Sequence, residues 1–474
     1  MKTIISGLSL LAVLLVVDGR VAAAKQQQTR PNILFLLTDQ WRADATGYAG
    51  DPNVQTPNLD RLASQSVNFT YAVSGCPVCC PYRASLMTGQ RVLTHGVFMN
   101  DVQLSPDAVT IAEVLADKGY DTGYVGKWHI DGRGRSSFIP RERRQGFEYW
   151  KVLECTHNYN NSFYWGDEPV KQKWDGYDTI AQTADVEQYL RGRAGNDKPF
   201  LFVLSWGTPH APYLTAPQKY RDLYDPEKLV LRPNVPEAMH KQVRRDLAGY
   251  YAHCTAIDEM VGRLLQTLKE TGLAENTIVV FTADHGDMLG SQGAYKKQRP
   301  FDESIRVPLL FHAPSLLGQG GRTLDARINT EDLMPTLLGL CGVDPPASVE
   351  GLDYSQYIRG GKSPGDGAAV VTCVQPFGQW TRRQGGRECR GLRTDRYTYV
   401  RSLDGPWLLF DNEKDPYQMT NVCNLPEYAE VQARLDKQLM AKLTQQGDEF
   451  LPGPVYLERW GYKVDAGGTV PYTN

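Results

Sequence analysis

Beyond its N-terminal segment the sequence holds no apolar run near the roughly 20 residues a membrane-spanning helix requires, which excludes stable insertion by any later segment. It also has no long basic run, and a formal net charge of −3 excludes the strongly basic balance of a nucleic-acid binder. Any anion it binds must be held by a local site. Internal repeats and low-complexity tracts are missing too. With 41% hydrophobic and 22% charged residues in 474, long disorder is excluded and one large domain or two domains are expected. The one apolar stretch, Ile4 to Val17, follows Met1-Lys2 and precedes Ala22-Ala23-Ala24, the layout of a secretory signal peptide over residues 1–24. The mature chain then starts near Lys25, and export makes disulfides permissible.

Cysteine is sparse, nine residues in all, yet three of them crowd into Cys76-Pro77-Val78-Cys79-Cys80-Pro81-Tyr82-Arg83. Only Cys79 places Pro two positions on and Arg four positions on. Cys76 would place Val78 and Cys80 there, and Cys80 would place Tyr82 and Ala84. A redox pair, Cys76 with Cys79, or part of a disulfide framework is the competing reading. The in-frame Pro81 and Arg83, with Met87-Thr88-Gly89 following, weigh against it.

Short apolar runs bounded by polar residues recur at Asn32 to Thr38, Thr122 to Gly126, Phe200 to Ser205 and Thr277 to Ala283, and Arg306 to Phe311 follows. Each is too brief for a helix and has the pattern of a buried strand. Between them lie stretches of helical period. Asp107 to Lys118 is one, and Gln242 to Thr271 is another, with Leu247, Tyr250, Tyr251, Cys254, Ile257, Val261, Leu264 and Leu268 on one face. Alternation of strands and helices predicts an α/β fold with a large, mainly parallel sheet flanked by helices. Ligands of such sheets sit beyond the strands' carboxyl ends, where this sequence carries Asp39, Lys127, the Trp206 to His210 turn and Asp284. One strand-end Asp is commonly a helix cap; four polar groups at four strand ends, with Cys79, point to a crevice. From about residue 363 the chain reads as a smaller α+β subdomain containing an antiparallel sheet, with strands about Arg390 to Val400 and a helix near Glu427 to Lys442. The expected division is therefore 25–362 and 363–474.

Taken together these motifs resemble the type I sulfatases of the alkaline phosphatase superfamily. The resemblance covers nearly the whole mature chain. It rests on the Cys79 motif, Thr38-Asp39-Gln40, Gly126-Lys127-Trp128-His129, Pro209-His210-Ala211-Pro212, Thr282-Ala283-Asp284-His285-Gly286-Asp287, Lys297 four residues before Phe301-Asp302-Glu303-Ser304, and the Leu409 to Asn421 stretch. It implies an alkaline phosphatase-like fold and oxidation of Cys79 to formylglycine by a formylglycine-generating or equivalent maturation enzyme. Tyr82 stands where the family most often has Ser, which leaves open which maturation system acts. Removing Cys79 by modification leaves eight cysteines, an even number consistent with pairing.

A sulfate ester needs its oxygen charge neutralised and a nucleophile offered to sulfur. By resemblance, Asp39, Gln40, Asp284, His285 and residue 79 itself hold a divalent metal. The oxygens favour Ca²⁺ over Mg²⁺, and His285 is the awkward donor for calcium. The formylglycine hydrate would attack sulfur with one hydroxyl and use the second to release the adduct. Arg83 and Lys127 would steady that diol, His129 would take a proton from it, and His210 and Lys297 would contact the sulfate and leaving oxygen, with His210 as general acid. Asp287 is assigned to the turn.

The implied function is removal of sulfate from a sulfated carbohydrate. Phosphonate or phosphate monoester hydrolysis is the alternative within the superfamily, and an inactive saccharide-binding homologue the non-enzymatic one. Specificity should lie in loops. In Glu154 to Trp165 the candidates are His157, Tyr164 and Trp165, unless this is a disulfide-tethered surface loop; in Gln379 to Arg383 they are Trp380 and Arg382. The export signal places the protein in the periplasm or outside the cell if bacterial, and in the lysosome or extracellular space if eukaryotic. Asn68-Phe69-Thr70 and Asn160-Asn161-Ser162 are glycosylation sequons in the latter case only. The sugar, the sulfate position, exo or endo action and the oligomeric state stay open.

Overall fold

The computed structural model describes residues 30–472, so the expected signal peptide lies outside the described residues. The strands are β1 Asn32–Asp39, β2 Val67–Val73, β3 Asp121–Lys127, β4 Tyr149–Leu153, β5 Phe163–Trp165, β6 Lys171–Lys173, β7 Phe200–Pro209, β8 Thr277–Ala283, β9 Arg306–Val307, β10 Leu309–His312, β11 Arg322–Asn329, β12 Ala369–Cys373, β13 Cys389–Arg393, β14 Tyr397–Ser402 and β15 Gly405–Asp411. Eleven form one sheet in the order β11-β2-β10-β8-β1-β7-β3-β4-β5-β6, with β9 beside β2. Its centre, β8-β1-β7-β3-β4, is parallel.

All eight residues of β1 are buried, as are all seven of β8. A strand covered on both faces must be apolar throughout, which is why these runs show no alternation. Arg306 to Phe311, expected as one strand, is two. Pro308 offers no N–H to a ladder, and the chain switches there from pairing β2 through β9 to pairing both β2 and β8, antiparallel, through β10. The far edge β6 consists of exposed Lys171, Gln172 and Lys173, charges that discourage further pairing.

The long helix covers His240–Glu270, and its predicted apolar face is buried throughout. It packs on the helix Asp178–Gly192 and on β7. The helix expected from Asp107 starts later, at Ile111. Thr110 caps it, accepting from the Glu113 N–H at 3.4 Å while Glu113 accepts from the Thr110 N–H at 2.8 Å, and this reciprocal pair sets the start.

Strands β12 to β15 form a separate antiparallel sheet covered by the helix Ala429–Gln445 through Leu435, Leu439 and Leu443. The chain passes from the large sheet's side to this one between the helix Ser355–Ile358 and β12. The Asn329 side chain bonds both N–H and C=O of Val370, at 3.0 and 2.9 Å, tying the sheets together. Buried Arg393 adds a two-pronged bond to Asp302, at 2.8 and 2.9 Å. The cysteines are not paired. All nine carry free thiols, eight of them buried, and Cys373 and Cys389 face each other across β12 and β13. No helix among the described residues is long and apolar enough to cross a membrane.

Candidate active site

The parallel centre of the sheet delivers Asp39, Lys127, His210 and Asp284 to one end, because all its strands run the same way. Into this end points the first residue of the helix Cys79–Thr88, which starts at Cys79 itself; the Cys80 N–H is satisfied by Asn100 Oδ1 at 3.1 Å. Gly126 makes the approach of β3 possible. Its φ is +105°, and a Cβ there would stand 2.1 Å from the Ser205 carbonyl oxygen of β7.

Cys79 Sγ is the hub. Lys297 Nζ lies 3.1 Å away, His285 Nε2 3.3 Å, Lys127 Nζ 3.6 Å and Asp39 Oδ1 3.9 Å. Burial alone would raise this thiol's pKa, but Lys127, Lys297 and His285 bring it well below the ordinary value. A buried position that holds negative charge in the thiol is equally suited to an anionic oxygen.

Asp39, Cys79, Asp284 and His285 offer ligand atoms within 4.8 Å of one another, all buried. Arg83 spans the two carboxylates, with NH2 3.0 Å from Asp284 Oδ2 and 3.4 Å from Asp39 Oδ2. Its NH1 donates to the Lys127 carbonyl at 2.8 Å and to Ser205 Oγ at 2.7 Å. Lys127 Nζ is 2.5 Å from Asp39 Oδ2. Despite burial and nearby Cys79, the cations Lys127 and Lys297 hold Asp39 far below the usual carboxylate range, whereas burial and the adjacent Asp39 charge raise Asp284.

Two observations fit this cluster to a divalent cation. The paired carboxylates repel each other, and Gln40 Oε1 is buried without a partner. Gln40 has a left-handed backbone, φ +70°, and donates its N–H to Asp284 Oδ1 at 3.0 Å. Its side-chain Nε2 donates to Asp287 Oδ2 at 2.7 Å, so the amide orientation is fixed and the free oxygen is the unused acceptor. Asp287, assigned to the turn, accepts also from Tyr213 OH at 2.6 Å and from the N–H groups of Leu289 and Lys296.

Above the hub opens a cavity of about 550 Å³ that reaches Cys79, Lys127, His129, His157, His210 and Lys297. The His210 ring stacks on that of His157, centroids 4.5 Å apart. Its Nδ1 lies 2.8 Å from the Ala211 carbonyl, which can only accept, so Nδ1 carries a proton. Burial, helped by Lys297, places the His210 pKa well below the ordinary value. His129, φ +61°, sits 3.4 Å from Asp101 Oδ1, and Asp101 is clasped by Arg135 at 2.9 and 2.8 Å.

Of the residues read as specificity candidates, only His157 reaches this cavity. Tyr164 bonds Gln172 and packs on Trp174, and Trp165 bonds the Ser136 carbonyl. Trp380 is buried in the small sheet's core beside Cys389 and Phe410, and Arg382 is engaged by Glu388. Cys155 is free and buried, so no disulfide tethers the Glu154 to Trp165 loop; Tyr159 OH anchors it by donating to the Gly207 carbonyl at 2.9 Å. The cavity instead contains Asp101, Arg135, Lys296, Gln298, Gln379 and Tyr472, of which only Gln379 belongs to a segment the sequence marks for substrate contact. No motif marks them, since the last two come from the C-terminal part of the chain and meet the others only in the fold.

Residues 31–343 match the family model described as sulfatase. The chain belongs to the sulfatase family. Its members of the type I class, within the alkaline phosphatase superfamily, share the large mixed sheet and small antiparallel sheet found here. A second match, over residues 290–446, is to the N-sulphoglucosamine sulphohydrolase C-terminal model. This sulfatase is 47% identical over 457 residues to an ulvan-active sulfatase of Formosa agariphila, covering 95% of this chain and 88% of that one. It is 29% identical to an endo-4-O-sulfatase of Bacteroides thetaiotaomicron, over 92% and 96% of the two chains. The solved structure of yidJ from Bacteroides fragilis matches with TM-score 0.82 and 31% identity, over 90% of this chain and 98% of that chain.

Proposed function

We propose that this sulfatase removes sulfate from a sulfated carbohydrate at a formylglycine derived from Cys79, with a divalent metal, calcium ahead of magnesium, held by Asp39, Gln40, Asp284, His285 and residue 79 itself. The observation that carries the reading is the gathering of Lys127, Lys297, Asp39, Asp284 and His285 around one buried sulfur at a helix N-terminus. Relatives named for action on ulvan and as an endo-4-O-sulfatase support a saccharide substrate. When present, the formylglycine and metal supply an oxygen nucleophile and a counter-charge for the sulfate oxygens.

The remaining work falls to the chain's own side chains. Lys297 and Lys127 flank position 79 and bind anionic oxygens there, and Arg83 holds the two carboxylates in register. His210 keeps a proton on Nδ1, so its Nε2 faces the cavity as the proton carrier for the leaving oxygen. It is neutral in the free site, and the ester's negative charge, arriving beside it, favours its protonation. His129, steadied by Asp101, takes a proton from the side chain at position 79. Export through residues 1–24 and maturation by a formylglycine-generating or equivalent enzyme belong to the same proposal, as does the division into 25–362 and 363–474.

Mass spectrometry of the peptide containing residue 79, from protein made by the native source, tests it together with an assay on aryl sulfate, phosphate and phosphonate monoesters. Loss of H₂S with gain of one oxygen at Cys79, and a kcat/KM preference for sulfate, are expected. An intact thiol in active protein, or a large phosphate preference, overturns it.

A further inference from the structure

Two lysines are consecutive at the cavity, and the sulfatase reading uses only one. Lys297 is buried against Cys79 Sγ, whereas Lys296 is half-buried and opens onto the same cavity. The other cations there are engaged: Lys127 by Asp39 and Arg135 by Asp101. Lys296 makes no ion pair and no side-chain hydrogen bond among the described residues. Burial and the neighbouring Lys297 charge both disfavour its ammonium form. A cation in that position gains from any anion brought to it.

The backbone holds Lys296 there deliberately. Its φ is +65°, and that of Gln298 is +73°, a left-handed geometry that residues with a Cβ seldom adopt. Lys296 is fixed on both sides of its peptide, donating its N–H to Asp287 Oδ1 at 2.9 Å and accepting from the Met288 N–H at 2.7 Å. Asp287 is the same carboxylate that orients Gln40, so the placement of Lys296 is tied to the ligand cluster. Turning the chain at 296 lets two successive lysines serve different depths of one cavity. At about 550 Å³ that cavity holds more than a sulfate group.

We propose that Lys296 binds a second anionic group, a carboxylate or another sulfate, on the saccharide whose reacting sulfate lies at position 79. This rests on the proposed sulfatase reading. It makes the preferred substrate polyanionic, with its second charge within reach of the cavity mouth, and makes Lys296 a specificity residue rather than a catalytic one.

The test compares wild type, Lys296→Gln and Lys296→Arg on four compounds: an aryl sulfate with no second charge, a sulfated disaccharide carrying a uronate, the same disaccharide with the uronate reduced to a neutral sugar, and a disulfated counterpart. Losing one charge-assisted contact should lower kcat/KM about tenfold or more for Lys296→Gln on the compound with the recognised second anion. The compounds without a second anion should change by less than about twofold and Lys296→Arg should retain most of the activity, since its charge remains. Which doubly charged compound is affected tells carboxylate from sulfate. Equal rates for wild type and Lys296→Gln on every compound, or an equal fall on all four, overturn the proposal. Calorimetric binding of the desulfated uronate disaccharide gives a readout without turnover. If wild type hydrolyses no sulfate ester, the sulfatase reading fails, and weaker binding by Lys296→Gln still decides the role of Lys296.

Discussion

The imidazole of His157 lies on that of His210, ring centroids 4.5 Å apart and planes inclined by 25°. His157 is exposed at the cavity rim while His210 is buried beneath it, so the outer ring shields the inner one from water. If His210 is the proton donor, its loss should matter most where the leaving alcohol is poor. His210→Gln should lower kcat/KM by roughly 10² to 10⁴-fold on a saccharide sulfate and by much less on a nitrophenyl sulfate. His157→Phe keeps a ring over His210 and should cost less than about tenfold on either. Equal losses for His210→Gln on both esters would remove the acid role.

The unpartnered Gln40 Oε1 makes a prediction about metal. Chelation should abolish turnover and lower Tm, and added calcium should restore both, because an ion bound only by the folded state stabilises it. Gln40→Leu removes one oxygen donor while leaving Asp39, Asp284 and His285. Its calcium-induced rise in Tm should be smaller, with activity recovered only at higher calcium. An identical calcium titration for wild type and Gln40→Leu would show that the amide is no ligand.

What could be read from the sequence were features whose signal is local. Cys79 was singled out by spacing within five residues, and Asp39, Lys127 and Asp284 by standing at the ends of unbroken apolar runs. Pro308 marks the division of the Arg306 to Phe311 strand, but the added pairing of its second half with β8 depends on which strand lies alongside. Trp380 and Trp165 looked like sugar-stacking residues because composition does not distinguish an exposed ring from a packed one. Asp101, Arg135, Lys296 and Tyr472 went unselected for the complementary reason: ordinary surface residue types acquire a role only when remote segments converge, and a left-handed lysine leaves no trace in the residue letters.

Asp101 illustrates the point. It connects His129, at 3.4 Å, to Arg135, which it binds through both oxygens, and the Arg135 guanidinium lies 3.5 Å over the Tyr472 ring. Asp101→Asn should loosen His129 without removing it. A fall in kcat of about tenfold to a hundredfold with little change in KM is expected, together with a shifted pH–rate profile. A change confined to KM would assign Asp101 to substrate binding instead.

Asp178 provides a test of the fold remote from the ligand cluster. It is buried at the start of the helix Asp178–Gly192, its Oδ1 has no partner, and burial pushes its carboxyl up to about 7. In the unfolded chain an aspartate titrates near about 3.9. Between those values the folded state binds the extra proton, so this group's contribution to stability falls as pH rises from about 4 to about 7 and then levels off. The total is on the order of 4 kcal/mol at most. Asp178→Asn cannot ionise and keeps the shape of the side chain. Its Tm should therefore exceed that of wild type at pH 8, and the difference should shrink steadily toward pH 4. Parallel Tm profiles for the two proteins would mean that Asp178 is solvated or paired in solution and that its carboxylate is not penalised.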